Sequence, residues 1–186
     1  MFQQLVNKYN LPLESSLMNN LKTETKTYGK GETITHQGEV ENYIYCIVQG
    51  AVLVGTFYDQ KEAILDFWFE GDYFSSYMSF LSRNPSKVYI ETLASTVVER
   101  ITYEQMQTLY QHSPSANTVG RLMAESLYIR KTQRELDFMT KSAEERYKEL
   151  LEKDKRVMQE VPVNKVARYL GIHPESLSRI RSNLIS

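Results

Sequence analysis

The sequence predicts an α+β chain. An antiparallel β-roll of double-stranded, jelly-roll-like form comes first, then one long helix, then a small all-α helix-turn-helix unit. Three observations carry this expectation. Between residues 23 and 101, short β-branched and aromatic runs alternate with glycine and aspartate turn signals at roughly 8–12-residue spacing. From Ser113 onward the apolar period lengthens to three and four residues. Near the C-terminal end, two short helical segments flank Gly171.

The predicted strands are Thr33-Ile34-Thr35, Tyr43 to Val48, Ala51 to Phe57, Ala63 to Trp68 and Thr96 to Ile101. Gly29, Gly31, Gly38, Gly50, Asp59 and Gly71-Asp72 fall between or just ahead of them, where tight turns need residues tolerant of unusual backbone angles. Beyond the roll, Val119, Leu122, Ser126, Ile129, Gln133, Leu136 and Thr140 recur by three and four along a helix of about 27 residues. Such a stripe packs either on its own domain or on a second copy. The polar Ser126 and Gln133 favour the second copy, because polar residues inside a seam fix register and oligomer state. Ser142-Ala143-Glu144-Glu145 has the form of a capping box, so a new helix is expected at Ala143. The expected divisions are a roll over 1–112, a dimerisation helix over 113–140 and a DNA-binding unit over 141–186.

The last segment carries the most specific signal. Val163 to Leu170 reads as a short helix, Gly171 as its left-handed turn, and Pro174 as the first residue of a second helix. Ala167 at the crossing and Leu177 as apolar anchor, with Val166, Leu170, Ile172 and Ile180 on the buried side, complete a helix-turn-helix pattern. The second helix of such a pair enters the major groove, and its first residues meet base edges. Glu175, Ser178 and Arg179 lie at i, i+3 and i+4, on one face. Arg179 suits guanine, Glu175 suits the cytosine amine, and Ser178 suits a base or a phosphate. Arg168, His173, Ser176 and Arg181 are candidate phosphate contacts. The bland alternative is a first-turn glutamate stabilised by the helix dipole and paired with Arg179.

Charge supports the division. The chain carries 22 basic and 23 acidic residues, a formal net charge of −1. That sum conceals 8 basic against 13 acidic residues through position 110, and 10 against 7 over residues 141–186. A basic terminal unit on an acidic body is the footprint of a phosphate-backbone binder. One cysteine, Cys46, rules out a disulfide framework and four-cysteine metal sites. No apolar run reaches the ~18–20 residues needed to span a bilayer, and residues 1–8 lack a leader pattern, so a cytoplasmic protein is expected. No phosphate loop, catalytic triad or metal-ligand spacing points to an enzyme, a metal or a cofactor.

These residues resemble the Crp/Fnr-type transcription regulators over nearly the whole chain. Gly31-Glu32, Gln37-Gly38-Glu39, Tyr43-Ile44-Tyr45 and Gly50 look like that family's turn framework, and Gly71-Asp72-Tyr73-Phe74 like the entrance to its ligand cassette. Glu175, Ser178 and Arg179 match the recognition residues of its oxygen-sensing branch. The resemblance implies a homodimer on double-stranded DNA, a palindromic operator with TTGAT-like half-sites, and RNA polymerase as a further candidate partner.

The departures matter as much. Members that bind cyclic nucleotides carry a Gly-Glu and an Arg-Ser/Thr pair where this chain has Ser75-Ser76 and Ser86-Lys87. Losing both charged contacts argues against cyclic AMP. Oxygen sensing requires four cysteines, and His36 and His112 read as surface side chains rather than haem ligands. The candidate effector pocket comprises Tyr73, Ser75, Ser76, Tyr77, Arg83, Ser86, Lys87 and Tyr89, with Lys131 and Thr132 facing it from the long helix, and it is expected to be empty or filled by side chains. The sequence ends at Ser186, and the short stretch between Leu151 and Val161 leaves no room for a strand pair, so the full β-wing of the family is expected to be missing. The alternative reading is a ligand-sensing or protein-interaction module with a degenerate DNA-binding tail.

Overall fold

The strands of the roll pair into two antiparallel sheets, whose inner faces enclose one core and whose outer faces each carry helices. The computed structural model describes residues 22–185, so the opening residues read for a leader lie outside the described residues. The strands are β1 (Glu24–Tyr28), β2 (Thr33–Thr35), β3 (Tyr43–Gln49), β4 (Ala51–Tyr58), β5 (Lys61–Phe69), β6 (Tyr73–Phe74), β7 (Tyr89–Thr92) and β8 (Thr96–Thr102). One sheet has the order β1-β8-β3-β6 and the other β2-β7-β4-β5. The helices are α1 (Tyr77–Ser82), α2 (Tyr103–His112), α3 (Pro114–Thr140), α4 (Ala143–Lys153), α5 (Arg156–Glu160), α6 (Val163–Leu170) and α7 (Pro174–Ile185).

Between the sheets lie Tyr28, Tyr45, Ile47, Val52, Val54, Phe74, Ile90 and Val98. The rings of Tyr45 and Phe74 stack with centroids 4.8 Å apart. Gly50 turns the chain from β3 into β4 at φ +97°, and a Cβ there would sit 2.7 Å from the Ser95 carbonyl, so the turn demands glycine. In β5 the register against β4 shifts between Val54↔Asp66 and Gly55↔Ile64, leaving Leu65 as an extra residue. This bulge lets Leu65 pack inward while Asp66 joins an outer surface that already carries Ile64 and Phe67.

The outer face of the first sheet is covered by α1, α2 and the start of α3. Ile44 and Ile101 meet Phe80, Met106, Leu109, Ala116 and Val119 there. Helix α2 begins in a capping box between Thr102 and Gln105, and the Ser113 hydroxyl caps α3 by accepting from the Ala116 amide at 3.1 Å. Val119 is thus a core residue of the roll and not part of a dimer seam. It is only 1% exposed, because this end of α3 lies on the roll before the helix runs past it.

The long helix ends at Thr140, and Ser142 and Glu145 form the expected capping box at the start of α4. Among the described residues no strand follows β8, and α5 occupies the stretch between α4 and α6. The tail does not, however, stand apart from the roll. Tyr147, Val157, Val161, Val166, Ala167, Leu170 and Leu177 share one apolar cluster with Ala51, Leu53, Ile64, Phe67, Phe69, Tyr89 and Leu93 of the second sheet. A helical unit this short buries too little apolar surface by itself and gains more by leaning on the sheet.

Candidate nucleic-acid interface and its contacts with the roll

The helix-turn-helix is built as its residues dictate. Helix α6 ends at Gly171, which adopts φ +71°, and the Gly171 and Ile172 amides donate to the carbonyls of Arg168 and Ala167. Pro174 opens α7, where its missing N–H costs nothing. Val166, Ala167, Leu170 and Leu177 are buried at the crossing. Glu175, Ser178 and Arg179 are exposed together on α7, as is His173 just before it, while Ser176 and Arg181 are half-buried. Ser182 donates back to the Ser178 carbonyl at 3.1 Å, within the same helix.

Arg168 is placed differently from expectation. It faces the roll, where its guanidinium touches the Glu62 carboxylate of β5. Lys165 reaches the same carboxylate, at 2.6 Å. Helix α6 packs on β5, and its second turn therefore meets an acidic strand rather than open solvent. Four residues along, Asp66 accepts from Lys131 at 2.9 Å and also pairs with Arg130, both on α3. Arg134 donates to the carbonyls of Ile64 and Tyr169, which ties α3, β5 and α6 together at one point. Arg146 of α4 donates to the Leu170 carbonyl at 2.9 Å, beside the turn of the helix pair. Phe138 lies between the guanidiniums of Arg134 and Arg146.

A cleft of about 560 Å³ opens between β5, the second half of α3, α4 and α6. Its walls are charge-balanced, with Asp66, Asp137 and Glu149 opposing Arg130, Arg134 and Lys153. Asp137 sits at the junction of α3 and α4. Burial alone would raise its pKa, but hydrogen bonds from the Lys141 ammonium and the Gln133 amide outweigh it and hold the carboxyl below its ordinary value.

The candidate effector residues do not form one site. Tyr73, Ser75 and Tyr77 line a smaller cavity, about 210 Å³, closed by Met123 and Leu127 of α3. Ser76 and Ser86 are buried and hydrogen-bond each other at 2.7 Å. Arg83 is committed to structure: it donates to the Glu41 carbonyl at 2.7 Å and lies over the Tyr103 ring. Lys87 is exposed, and its carbonyl accepts from Thr56. Tyr89 lies on the opposite side of the roll, stacked on Phe57 and donating its hydroxyl to Glu62. Its phenol pKa is pushed up to about 12, first by burial and then by the charge of Glu91. Lys131 turns to Asp66, and Thr132 is half-buried on α3.

Of the expected seam, Leu122 is half-buried, whereas Ser126, Ile129, Gln133 and Leu136 are exposed. Ile129 is 66% exposed and Met139, two helical turns beyond the centre of that stripe, is 75% exposed. Tyr128 belongs to the same uncovered surface, and neither it nor Met139 was legible in the three-four spacing of the seam. Three acidic residues were also missed. Glu41 is buried and accepts from the Thr35 hydroxyl, the Tyr43 amide and the Tyr45 hydroxyl. Glu62 and Asp66 had a readable signal: carboxylates inside an otherwise apolar strand are costly to cover unless cations meet them. Cys46 is buried in β3, where desolvation raises its thiol pKa. Among the described residues, no group of His, Cys, Asp and Glu is placed to hold a metal ion, and no helix is long and apolar enough to cross a membrane.

Comparison with known proteins agrees with this architecture. Residues 25–113 match the cyclic nucleotide-binding domain family. FixK2 from Bradyrhizobium japonicum superposes with a TM-score of 0.76 at 24% identity, covering 88% of this chain and 85% of that one. A transcriptional regulator of the Crp/Fnr family from Eubacterium rectale gives 0.71 at 18% identity, over 96% and 86% of the two chains. The global regulator CLP of Xanthomonas campestris gives 0.68 at 16% identity, over 92% and 91%. Among curated proteins, none matches the chain in sequence. Residues 25–113 thus match the cyclic nucleotide-binding domain family, and the whole chain, with its roll, long helix and helix-turn-helix, shares the fold of these three solved structures.

Proposed function

We propose that the chain is a dimeric, sequence-specific DNA-binding transcription regulator of the Crp/Fnr type that does not respond to cyclic AMP. One observation carries the reading: Glu175, Ser178 and Arg179 stand exposed on one face of α7, behind a helix crossing that buries Leu177. That is the arrangement a recognition helix needs to place three hydrogen-bonding side chains against base edges. His173, Ser176 and Arg181 flank this face and supply phosphate contacts. The uncovered apolar stripe of Ile129, Leu136 and Met139 on α3 supports pairing of two copies. Two recognition helices one turn of DNA apart, ~34 Å, then read an inverted repeat. RNA polymerase is the second macromolecular partner of a regulator of this kind.

Independence from cyclic AMP rests on Ser76 and Ser86. They occupy the positions of the charged ligand contacts and satisfy each other's hydroxyls, leaving no carboxylate for a ribose and no guanidinium for a cyclic phosphate. The test is selection of bound sequences from random duplex DNA, with and without cyclic AMP. An enriched inverted repeat, unchanged by the nucleotide, is the expected outcome. Arg179→Ala should then weaken binding to the selected site by about 1–3 kcal/mol and relax its central base preference while leaving the dimer intact. Failure to enrich any sequence, or equal affinity of the variant for the best site, overturns the reading.

A further inference from the structure

Glu62 is the point at which the helix-turn-helix is electrically attached to the roll. Its side chain is 8% exposed, so its carboxylate is largely removed from water. Two hydrogen-bond donors and one further cation converge on it. Tyr89 reaches it across the sheet from β7. Gly55 makes room for that ring, since a Cβ there would lie 2.5 Å from the Tyr89 hydroxyl oxygen. Lys165 and Arg168, three residues apart on α6, approach from the other side. This carboxylate adds charge-assisted contacts to the apolar packing of α6, and among the described residues neither cation pairs with another acid.

Residues 161–186 contain four cations, Lys165, Arg168, Arg179 and Arg181, against one acid, Glu175. Two of the four are therefore held by the roll. In a helix-turn-helix the first helix crosses the DNA backbone, and its cations are the groups a phosphate would take. A phosphate oxygen and a carboxylate oxygen are equivalent acceptors for an ammonium or a guanidinium, so the two anions compete for the same N–H groups and the same charge.

We propose that Glu62 is an electrostatic latch: its carboxylate occupies Lys165 and Arg168 in place of DNA phosphates, so that α6 engages a DNA backbone only after the tail has left the roll. The inference rests on the DNA-binding reading and adds to it a competition between two modules of one chain. The docked tail can still present α7 to bases, but with half of its cations withheld the sequence-independent part of its affinity is small. Release restores them, and the roll thereby sets how tightly the tail grips any duplex.

Glu62→Gln tests the latch, because the amide still accepts from Tyr89 but no longer neutralises the cations. With the full-length dimer and a non-cognate duplex, binding should tighten roughly tenfold at low salt, and the slope of log affinity against log salt should steepen by about 1.8, since two further phosphates are neutralised. Adding Lys165→Gln and Arg168→Gln to this variant should return the slope to that of the unmodified protein. The same two substitutions made alone should change it little. An unchanged slope in Glu62→Gln, or a full loss from the double substitution alone, overturns the latch.

A second measurement needs no DNA. Amide hydrogen exchange over residues 163–170 should accelerate in Glu62→Gln. In the unmodified protein it should also accelerate on raising salt from about 0.05 to about 0.5 M, which screens the ion pairs, while α2 stays protected. No acceleration in either experiment overturns the latch whatever the duplex result. Acceleration in a protein that binds no duplex at all shows only that Glu62 holds α6 to the roll, and it sinks the DNA-binding reading and the competition with phosphates together, whereas an unchanged slope in a protein that does bind duplex sinks the latch alone.

Discussion

The two outer faces of the roll each carry helices, and they are held by different physics. On the β1-β8-β3-β6 sheet, α1, α2 and the start of α3 are attached by Ile44, Phe80, Ile101, Met106, Leu109 and Val119. On the β2-β7-β4-β5 sheet, the tail shares an apolar cluster with the strands, but Glu62 and Asp66 add ion pairs to Lys165, Arg168, Arg130 and Lys131. Apolar burial is indifferent to salt at ordinary concentrations, whereas ion pairs with half-exposed cations weaken as salt rises. The first face is thus a permanent joint and the second an adjustable one. The adjustable joint is the one that carries the candidate recognition helix.

The largest effect expected from breaking this contrast is at the permanent joint. Phe80→Ala, at a residue 1% exposed, should cost about 3–5 kcal/mol in denaturant unfolding, equally at low and high salt. A cost that fell with salt would erase the distinction between the faces. Asp66→Asn at the adjustable joint should cost less, about 1–3 kcal/mol, because Arg130 and Lys131 are both nearly half exposed and water already screens them. Here the cost should shrink at high salt. Gly171→Ala tests the joint from the tail side. Its φ of +71° disfavours any side chain, and the new Cβ would sit 3.1 Å from the Phe138 ring, so about 1–2 kcal/mol is expected. The loss should appear in exchange over α6 and α7 before it appears in the roll.

The smallest effect concerns the junction of α3 and α4. Asp137 pairs with Lys141 at 2.7 Å, and Lys141 also pairs with Glu149. The folded-state pKa of Asp137 is depressed, so its contribution is present above the ordinary carboxylate value and is lost as pH falls through the folded one. Asp137→Asn should lower Tm by about 1–2 °C near neutral pH. Titrating the parent downward from about pH 4 should shrink the difference between the two proteins progressively, until the folded carboxyl is protonated. A difference that persisted at low pH would show that the aspartate acts by shape rather than charge.

Most strands were legible because they are β-branched and aromatic runs bounded by turn residues. Strand β1 was not, since its first four residues are exposed and carry no apolar period. Strand β6 has two residues, too few for any pattern. Strand β7 follows Pro85 and Ser86 and is fixed mainly by pairing with β4. The capping box of α2, Thr102 with Gln105, was written in the sequence and is a signal that finer reading recovers. That Glu175, Ser178 and Arg179 share one exposed face was legible because they lie within two turns of one helix. The effector residues were not, because Tyr73, Arg83 and Tyr89 belong to three different surroundings that their spacing does not distinguish.

By itself, then, the sequence determined what depends on neighbours a few residues away: the strands written as β-branched and aromatic runs, the length of α3, the cap at Ser142 and the turn at Gly171. Only the tertiary structure decided where the tail rests, that Val119 belongs to the roll, and that Lys165 meets Glu62 from a distance of 103 residues along the chain. The reason is physical. Backbone periods and caps are short-range and are encoded locally. The partner of a charge is chosen by which surfaces come together when separate apolar faces are buried, and no spacing within either segment records that choice.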